Sequence, residues 1–414
     1  MTRPRTAAVL IALLILVLYG RTLGYGLVWD DFAALRPRSA AALVGAWTGE
    51  WDPGGVWPVF YRPLSIVVYH TMFRLLGHHA LWLHAVNLIE LWLAAWLLRV
   101  FVQRETQSAV FALIAATLLV LHPETPSSLA AWISQQFQLV PLIWVLSAML
   151  VWQRTRAGAT SAWGLTLATL TLGVLMKEDV LMVAPALVAW QAIRARVVGD
   201  ASTPSRGLYA LVAGWIGLYL LLRTIALGEI GGYQWPSLGR ALLNSVNGPL
   251  FTFGLQWIPS AHGISLLSGF GVAALLMLTW RARRHAPTPL TALGLYGVML
   301  GALANIPLVL ISGHTRVYLL TLASTLTLTA AIGIVVAGYQ AARGGVPRWV
   351  IAAALAWSVV IAMANWANTS TFAPCAPEVL QRNAEALTWD ITSNADRSEI
   401  LGAIARCGSG TPRS

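Results

Sequence analysis

Long apolar runs recur along this chain, and their length constrains the fold more than any other feature. The first run, residues 7–27, has about 21 residues and would span roughly 30 Å as a helix, which matches the hydrocarbon core of a bilayer. Only 10% of the residues are charged, whereas soluble domains carry about 25%. The sequence therefore predicts an all-α polytopic membrane protein.

The apolar runs predict about eleven membrane crossings within one transmembrane domain, residues 1–367. After the first run, the predicted crossings are 80–102, 109–121, 139–152, 162–176, 180–193, 208–225, 264–280, 290–311, 317–339 and 349–367. A further apolar stretch, residues 241–258, is interpreted as re-entrant or interfacial. If it crossed as well, the basic cluster at 281–284 would lie outside.

Arginines gather in the short loops between these runs, and this pattern sets the predicted orientation. The formal charge is +11, but the arginines follow the rule that cytoplasmic loops are rich in basic residues. A topological interpretation is therefore favoured over nucleic-acid binding. We predict a bacterial inner-membrane protein with a cytoplasmic N-terminus and a periplasmic C-terminus. The first helix is expected to be retained, because it lacks a convincing A-x-A cleavage site.

Two regions are predicted to lie outside the membrane. The first exoplasmic loop, residues 28–78, contains two amphipathic stretches, 40–51 and 64–76, that are expected to lie along the membrane surface. The second region is a small C-terminal tail, residues 368–414.

The tail holds both cysteines of the chain, Cys375 and Cys407. An exoplasmic compartment is oxidising, which favours a disulfide between them, with two free thiols as the alternative.

Five groups of polar residues fall on the predicted exoplasmic face, at the ends of apolar runs. They are Asp30 with Asp31, Arg62, His122 with Glu124, Lys177 with Glu178 and Asp179, and His314 with Arg316. Each group has a structural alternative, such as helix capping for the aspartates, snorkelling for the arginines and a solvated charge cluster for the lysine segment. Their accumulation on one face favours a functional site, because ionisable residues near the membrane are costly and binding residues concentrate in loops.

These residue types suit the transfer of a sugar from a lipid phosphate. A carboxylate of Asp30 or Asp31 would take the proton from an acceptor hydroxyl as that hydroxyl attacks the anomeric carbon. The leaving phosphate needs cations, which Arg316, Lys177 and Arg62 would supply. Adjacent aspartates also allow a divalent cation such as Mg²⁺ or Mn²⁺, held by Asp31, although one Asp-Asp step is a weak metal signal.

Several short motifs follow one another in the order found in the GT-C glycosyltransferases. They are Trp29-Asp30-Asp31, Tyr61-Arg62-Pro63-Leu64, His84 with Asn87, His122-Pro123, Lys177-Glu178 and Arg316-Val317-Tyr318-Leu319. The chain most resembles the branch that contains the transmembrane O-mannosyltransferases with tetratricopeptide repeats, and in particular their bacterial relatives.

The resemblance implies a GT-C-like helical bundle that uses a polyprenyl-phosphate sugar, of the undecaprenyl type, on the exoplasmic face. It implies that Asp30 or Asp31 is the base and that Arg316 contacts the donor phosphate. The residues that then fall in the expected substrate-binding region are His122, Glu124, Glu178, His314 and Tyr318. The chain departs from the family pattern at Ser127, where an acid is expected, and at Glu90, which replaces a histidine. The acceptor and the sugar are therefore left open.

Two other classes of function fit parts of the pattern. A transporter or flippase of lipid-linked sugars would place polar groups near the bilayer midplane on broken helices, whereas here they lie at helix ends. A membrane assembly factor would use its Trp-rich loops for protein contacts and would tolerate charge-neutral changes at Asp31 and Arg316. An inverting glycosyltransferase is the favoured hypothesis.

Overall fold

The structure is a computed structural model that describes most of the chain. The described residues are 4–28, 30–49, 60–122, 125, 130, 133, 136–154, 160–199, 203–228, 288–311, 318–343, 348–370, 376–386, 397–398, 400–402 and 404–405. Two predicted apolar segments, 241–258 and 264–280, lie outside these ranges. The description also leaves out the side chains of Asp30, Glu124, His314, Arg316, Tyr318, Cys375 and Cys407. The roles assigned to these segments and side chains stay predictions.

The described residues form α-helices joined by loops, as predicted for an all-α protein. The helices are α1 (Pro4–Tyr19), α2 (Asp30–Ala34), α3 (Ala40–Gly45), α4 (Pro63–Leu76), α5 (Ala80–Thr106), α6 (Ala109–Leu121), α7 (Gln136–Arg154), α8 (Thr160–Val174), α9 (Val183–Val197), α10 (Arg206–Leu227), α11 (Thr288–Ile311), α12 (Tyr318–Arg343), α13 (Arg348–Ser370) and α14 (Pro377–Ala386). Two 3₁₀ turns, Gly20–Gly24 and Glu178–Met182, follow α1 and precede α9.

Five of the described helical segments are long and apolar enough to cross a membrane. They are Pro4–Gly24, Ala80–Thr106, Glu178–Val197, Arg206–Leu227 and Thr321–Ala341. Shorter apolar helices accompany them at Pro63–Leu76, Ala109–Leu121, Ala162–Val174, Thr288–Ala304 and Ala354–Met363. The prediction of an all-helical, multi-pass membrane protein is confirmed. The side that faces the cytoplasm stays a prediction.

Local sequence explains where several helices begin and end. Ser108 and Ser205 cap α6 and α10, because their hydroxyl oxygens accept the N–H groups of Phe111 and Leu208 at 3.4 and 3.2 Å. Helix α10 ends at Gly228, whose φ of 75° is in the left-handed region that suits glycine.

The surface helix predicted at residues 40–51 is shorter in the structure. Helix α3 covers only Ala40–Gly45, where Ser39 caps its start by accepting the Ala42 N–H at 3.1 Å. A glycine lowers helix propensity, which is consistent with an end at this position. The helix predicted at residues 64–76 is present as α4.

Helix α5 runs on to Thr106, past the end predicted at residue 102, because a buried ion pair lies in its last turn. Glu105 pairs with Arg194 and accepts a hydrogen bond from Gln153 Nε2 at 2.6 Å. A paired carboxylate is tolerated inside a packed bundle, so the helix does not end at its first polar residues. This contact gathers the C-terminal ends of α5, α7 and α9 at one end of the bundle.

An aromatic stack packs beside that ion pair. The Trp190 ring lies 4.8 Å from the Trp152 ring and 4.1 Å from the Tyr296 ring, both in stacked geometry. Phe101 closes the group at 5.3 Å from Trp190. Helices α5, α7, α9 and α11 thus share one core at this end of the bundle.

The candidate site lies at the other end of these helices. There Tyr19, the last residue of α1, donates its hydroxyl to the Val120 carbonyl of α6 at 2.7 Å. The C-terminal ends of α1 and α6 therefore meet, and the loops that carry most of the predicted site residues follow from this end.

Candidate active site

Helix α4 is fixed at its N-terminal end to the end of α8, and this contact organises the candidate site. The Leu64 N–H donates to the Leu175 carbonyl at 3.1 Å, and the Ser65 hydroxyl donates to the Met176 carbonyl at 2.9 Å. Both partners precede the 3₁₀ turn that leads into α9. The charged residues that flank these two segments are therefore held side by side.

Arg62 and Glu178 form a bidentate ion pair at this junction. Arg62 Nε and Nη2 donate to the two carboxylate oxygens of Glu178 at 2.8 and 2.9 Å. The guanidinium also lies over the Phe60 ring, 3.9 Å from its centroid. The two side chains are only 7% and 14% exposed, so the planar guanidinium is held in one orientation.

Lys177 and Asp179 add a second, looser pair beside the first. Lys177 Nζ lies 4.0 Å from Asp179 Oδ2, and both side chains are largely buried. Burial lowers the pKa of the Lys177 ammonium; the Asp179 carboxylate opposes this shift, and the Arg62 charge adds to it. A lysine or arginine that pairs with a buried carboxylate can also bind a phosphate, if the phosphate displaces that carboxylate.

Two residues of α10, Tyr219 and Arg223, complete this group, and sequence reasoning missed both. The Tyr219 hydroxyl donates to the Tyr61 carbonyl at 3.4 Å, and Arg223, 4% exposed, hydrogen-bonds the Tyr219 side chain. A signal was available, because Tyr219 and Arg223 are four residues apart on one face of a mostly apolar helix. We name the set of Arg62, Lys177, Glu178, Asp179, Tyr219 and Arg223 the ion-pair cluster.

Asp31 lies in the short helix α2, on a flank of α4. Its carboxylate is fully buried, and Oδ2 accepts the Val28 N–H at 2.9 Å. The carboxylate thus bonds back to a residue three positions earlier, as the acid of a capping box does, whereas the alternative in the sequence analysis was an aspartate that caps the helix after it. Phe32 of α2 belongs to the same apolar group as Ile66 and Tyr69 of α4. Helix α4 therefore connects the Asp31 helix with the ion-pair cluster.

The extended segment before α2 is held by α5. His84 Nε2 lies 3.4 Å from the Gly26 carbonyl oxygen, and the Tyr25 ring meets the His84 ring edge-on with centroids 6.3 Å apart. On the other side of α2, the Tyr61 hydroxyl donates to the Trp47 carbonyl at 3.1 Å, and burial raises the pKa of this hydroxyl. The loop that carries the aspartates is thus tied to the bundle on both sides.

His122 follows the last residue of α6 and contacts α12. Its Nε2 lies 2.8 Å from Ser324 Oγ, and the Ser324 hydroxyl itself donates to the Thr321 carbonyl at 3.1 Å. The serine oxygen is therefore the acceptor of the imidazole N–H. Ser324 lies in the second turn of α12, a helix that begins at Tyr318, two residues after Arg316 in the sequence.

Replacing Ser324 with Ala is expected to leave a buried imidazole N–H without this acceptor. The cost should be about 1–3 kcal/mol of stability, measured by thermal unfolding in detergent. Ser358→Ala is the matched control, because that hydroxyl donates to the Ala354 carbonyl within its own helix. Equal melting of both variants and the wild type would show that the His122 contact does not hold α6 to α12.

The predicted site residues fall into three groups. Arg62, Lys177 and Glu178 are brought together, Asp31 lies in α2, which shares an apolar cluster with α4, and His122 lies at the junction of α6 and α12. The predicted site residues whose side chains lie outside the description are Asp30, Glu124, His314, Arg316 and Tyr318. Within the described part of the chain, no three His, Cys, Asp or Glu side chains form a group that could hold a metal ion.

The described helices and the buried charges at one end of them form an all-helical membrane fold. Among solved structures, the chain is similar to the archaeal oligosaccharyltransferase AglB from Archaeoglobus fulgidus, with a TM-score of 0.54 and 15% sequence identity. The match covers 97% of this chain and 59% of AglB, whose structure holds an inhibitory peptide and a dolichol-phosphate. No protein-family model and no curated protein matches the sequence. The relation to the O-mannosyltransferases stays a prediction.

Proposed function

We propose that this protein is an integral membrane glycosyltransferase that moves a sugar from a polyprenyl-phosphate donor to an acceptor hydroxyl. The observation that carries the proposal is the pair of buried charge sites joined by α4: the Asp31 carboxylate on one flank and the ion-pair cluster at its start. The likeness in fold to an oligosaccharyltransferase whose structure holds dolichol-phosphate supports a lipid-phosphate substrate.

The reaction divides the charged residues into two roles. A first-loop aspartate, Asp30 or Asp31, takes the proton of the acceptor hydroxyl as its oxygen attacks the anomeric carbon. The bond from that carbon to the phosphate oxygen breaks, and the negative charge passes to the lipid phosphate. Arg316, Lys177 and Arg62 stabilise this charge. Attack opposite the leaving phosphate inverts the anomeric configuration.

The remaining predicted residues surround the substrate in this proposal. Glu178 orients Arg62. The residues that contact the sugar or the acceptor are His122, Glu124, His314 and Tyr318. The adjacent aspartates also allow a divalent cation such as Mg²⁺ or Mn²⁺, held by Asp31. Transfer assays in EDTA, with Mg²⁺ or Mn²⁺ added back, test for one directly.

The proposed function is tested with purified protein and a radiolabelled polyprenyl-phosphate sugar. We expect the label to leave the lipid and to appear on an acceptor hydroxyl or on water, with release of polyprenyl phosphate. The same protein in sealed vesicles tests the alternative of a flippase. Movement of intact donor across the vesicle membrane without any release of polyprenyl phosphate would contradict the glycosyltransferase.

Donor binding is expected to weaken as the pH rises. Since burial lowers the pKa of Lys177, its ammonium loses its charge at lower pH than an ordinary lysine, and a phosphate contact is lost with it. The donor KM of the wild type should rise with pH already below the usual lysine pKa of about 10.4, whereas that of Lys177→Arg should rise less, because arginine stays charged. Identical pH profiles for the two proteins would remove Lys177 from donor binding.

A further inference from the structure

A second candidate binding site lies between α1 and α5, apart from the ion-pair cluster. A groove of about 310 Å³ separates the two helices, and its lining is wholly apolar. The lining includes Ile15, Leu16, Ala85, Leu88, Ile89 and Trp92. By itself, an apolar groove on a membrane protein indicates only contact with some hydrocarbon chain.

The same face of α5 leads from this groove to a buried arginine. Residues 85, 88, 89, 92, 96 and 99 are spaced so that, at 3.6 residues per turn, they fall within an arc of about 100°. Trp92 stacks on Trp96 with centroids 6.3 Å apart, and the Trp92 indole N–H donates to the Ala8 carbonyl of α1 at 3.1 Å. Arg99 follows, with Cζ 4.7 Å from the centroid of the Trp96 ring.

Arg99 is an unusual residue at this position. It is only 3% exposed, and its Nε has no hydrogen-bond partner among the described residues. Those residues offer it no carboxylate either, since Glu105, the next acid along α5, is paired with Arg194. A buried cation at membrane depth is costly unless an anion accompanies it. The Trp96 ring supplies only part of that compensation.

We propose that this stripe binds an anionic phospholipid, with an acyl chain in the α1–α5 groove and the headgroup phosphate at Arg99. The occupant has to be both apolar and anionic, because the stripe is apolar from residue 85 to residue 96 and cationic at residue 99. From residue 85 to residue 99 the helix rises about 21 Å, which exceeds one leaflet's share of a hydrocarbon core of roughly 30 Å. The stripe is therefore long enough for a chain and a headgroup.

This lipid is distinct from the sugar donor. Arg99 lies near the end of α5 that carries the Glu105–Arg194 pair, whereas the ion-pair cluster lies at the opposite end of the bundle. The proposal thus does not depend on the glycosyltransferase function. It assigns to the bound phospholipid the role of holding α1 against α5.

The test is native mass spectrometry of the full-length protein titrated with phosphatidylglycerol or phosphatidylcholine. The wild type is expected to retain phosphatidylglycerol in preference to phosphatidylcholine. In Arg99→Gln the ratio of the two affinities should fall about tenfold, as expected for the loss of one charge-assisted phosphate contact. Arg104→Gln is the matched control: it removes the same charge from an exposed position on the same helix. Equal retention by Arg99→Gln and the wild type would overturn the proposal.

Two further experiments test whether the ligand is a lipid rather than a free phosphate, and whether Arg99 binds the ligand rather than stabilising the fold. Ala85→Trp fills the groove and should weaken retention of both lipids, whereas soluble glycerol phosphate should not displace bound phosphatidylglycerol. Displacement by that soluble anion would overturn the lipid assignment.

In lipid-free detergent, Arg99→Gln should melt no lower than the wild type, and a difference in melting temperature should appear only when phosphatidylglycerol is added. A variant that melts lower in both conditions would make Arg99 a structural residue and contradict the proposal.

Discussion

Asparagine at position 31 is expected to preserve the fold and to reduce sugar transfer by about 10²- to 10⁴-fold. The Asp31 carboxylate accepts the Val28 N–H through Oδ2, and an asparagine carbonyl oxygen can accept the same bond. The substitution therefore keeps the helix start while it removes the group that could take a proton. Transfer of label from the polyprenyl-phosphate sugar is the measurement, with thermal unfolding as the check on folding.

Two other aspartates complete this test, one as a control and one as the alternative base. Asp200→Asn removes the same charge three residues after α9 ends at Val197, and it should transfer at the wild-type rate. Asp30→Asn shows which of the adjacent aspartates is the base. Full transfer by both first-loop variants would end the assignment of a catalytic aspartate to this loop.

The Arg62–Glu178 pair allows stability to be separated from function. Either single substitution, Arg62→Gln or Glu178→Gln, leaves a largely buried charge without its partner and should cost about 3 kcal/mol. The double substitution removes both charges and should regain much of that stability. Because the donor phosphate needs the guanidinium, the double variant should nevertheless bind the donor poorly.

Melting temperature and donor KM are measured on all four proteins, including the wild type. The expected pattern is recovery of the melting temperature in the double variant without recovery of the KM. A double variant that regains donor binding together with stability would make the pair structural and would leave donor binding to Lys177 and Arg316.

The helices were predictable because the apolar runs are distinct and many of their ends are marked by capping residues or prolines. Helix α6 covers Ala109–Leu121, the predicted residues, since Ser108 caps one end and His122 precedes a proline at the other. The predicted end of α5 is wrong because the apolar run ends at Val102, three residues before Glu105. The partner of Glu105, Arg194, is 89 residues away in sequence, and no local sequence pattern predicts such a pairing.

The candidate site shows the same division between local and long-range signals. Arg62, Lys177 and Glu178 are predicted site residues because polar groups accumulate on the predicted exoplasmic face, where ionisable residues near the membrane are costly. Their pairing was not predicted, because it depends on the hydrogen bonds that join the start of α4 to the end of α8. Arg223 lies inside the predicted crossing 208–225 rather than at its end, so its position in the sequence does not indicate a site.

The two hydrogen bonds that tie α4 to Leu175 and Met176 have a mechanical consequence. A phosphate that competes with Glu178 for the Arg62 guanidinium would alter the contacts at the first turn of α4, and α4 shares an apolar cluster with the helix that carries Asp31. Loading of the donor and alignment of the acceptor's base would then be thermodynamically linked, so that each substrate alters the affinity for the other by the same factor. An enzyme coupled in this way would discourage hydrolysis of its donor while the acceptor is missing.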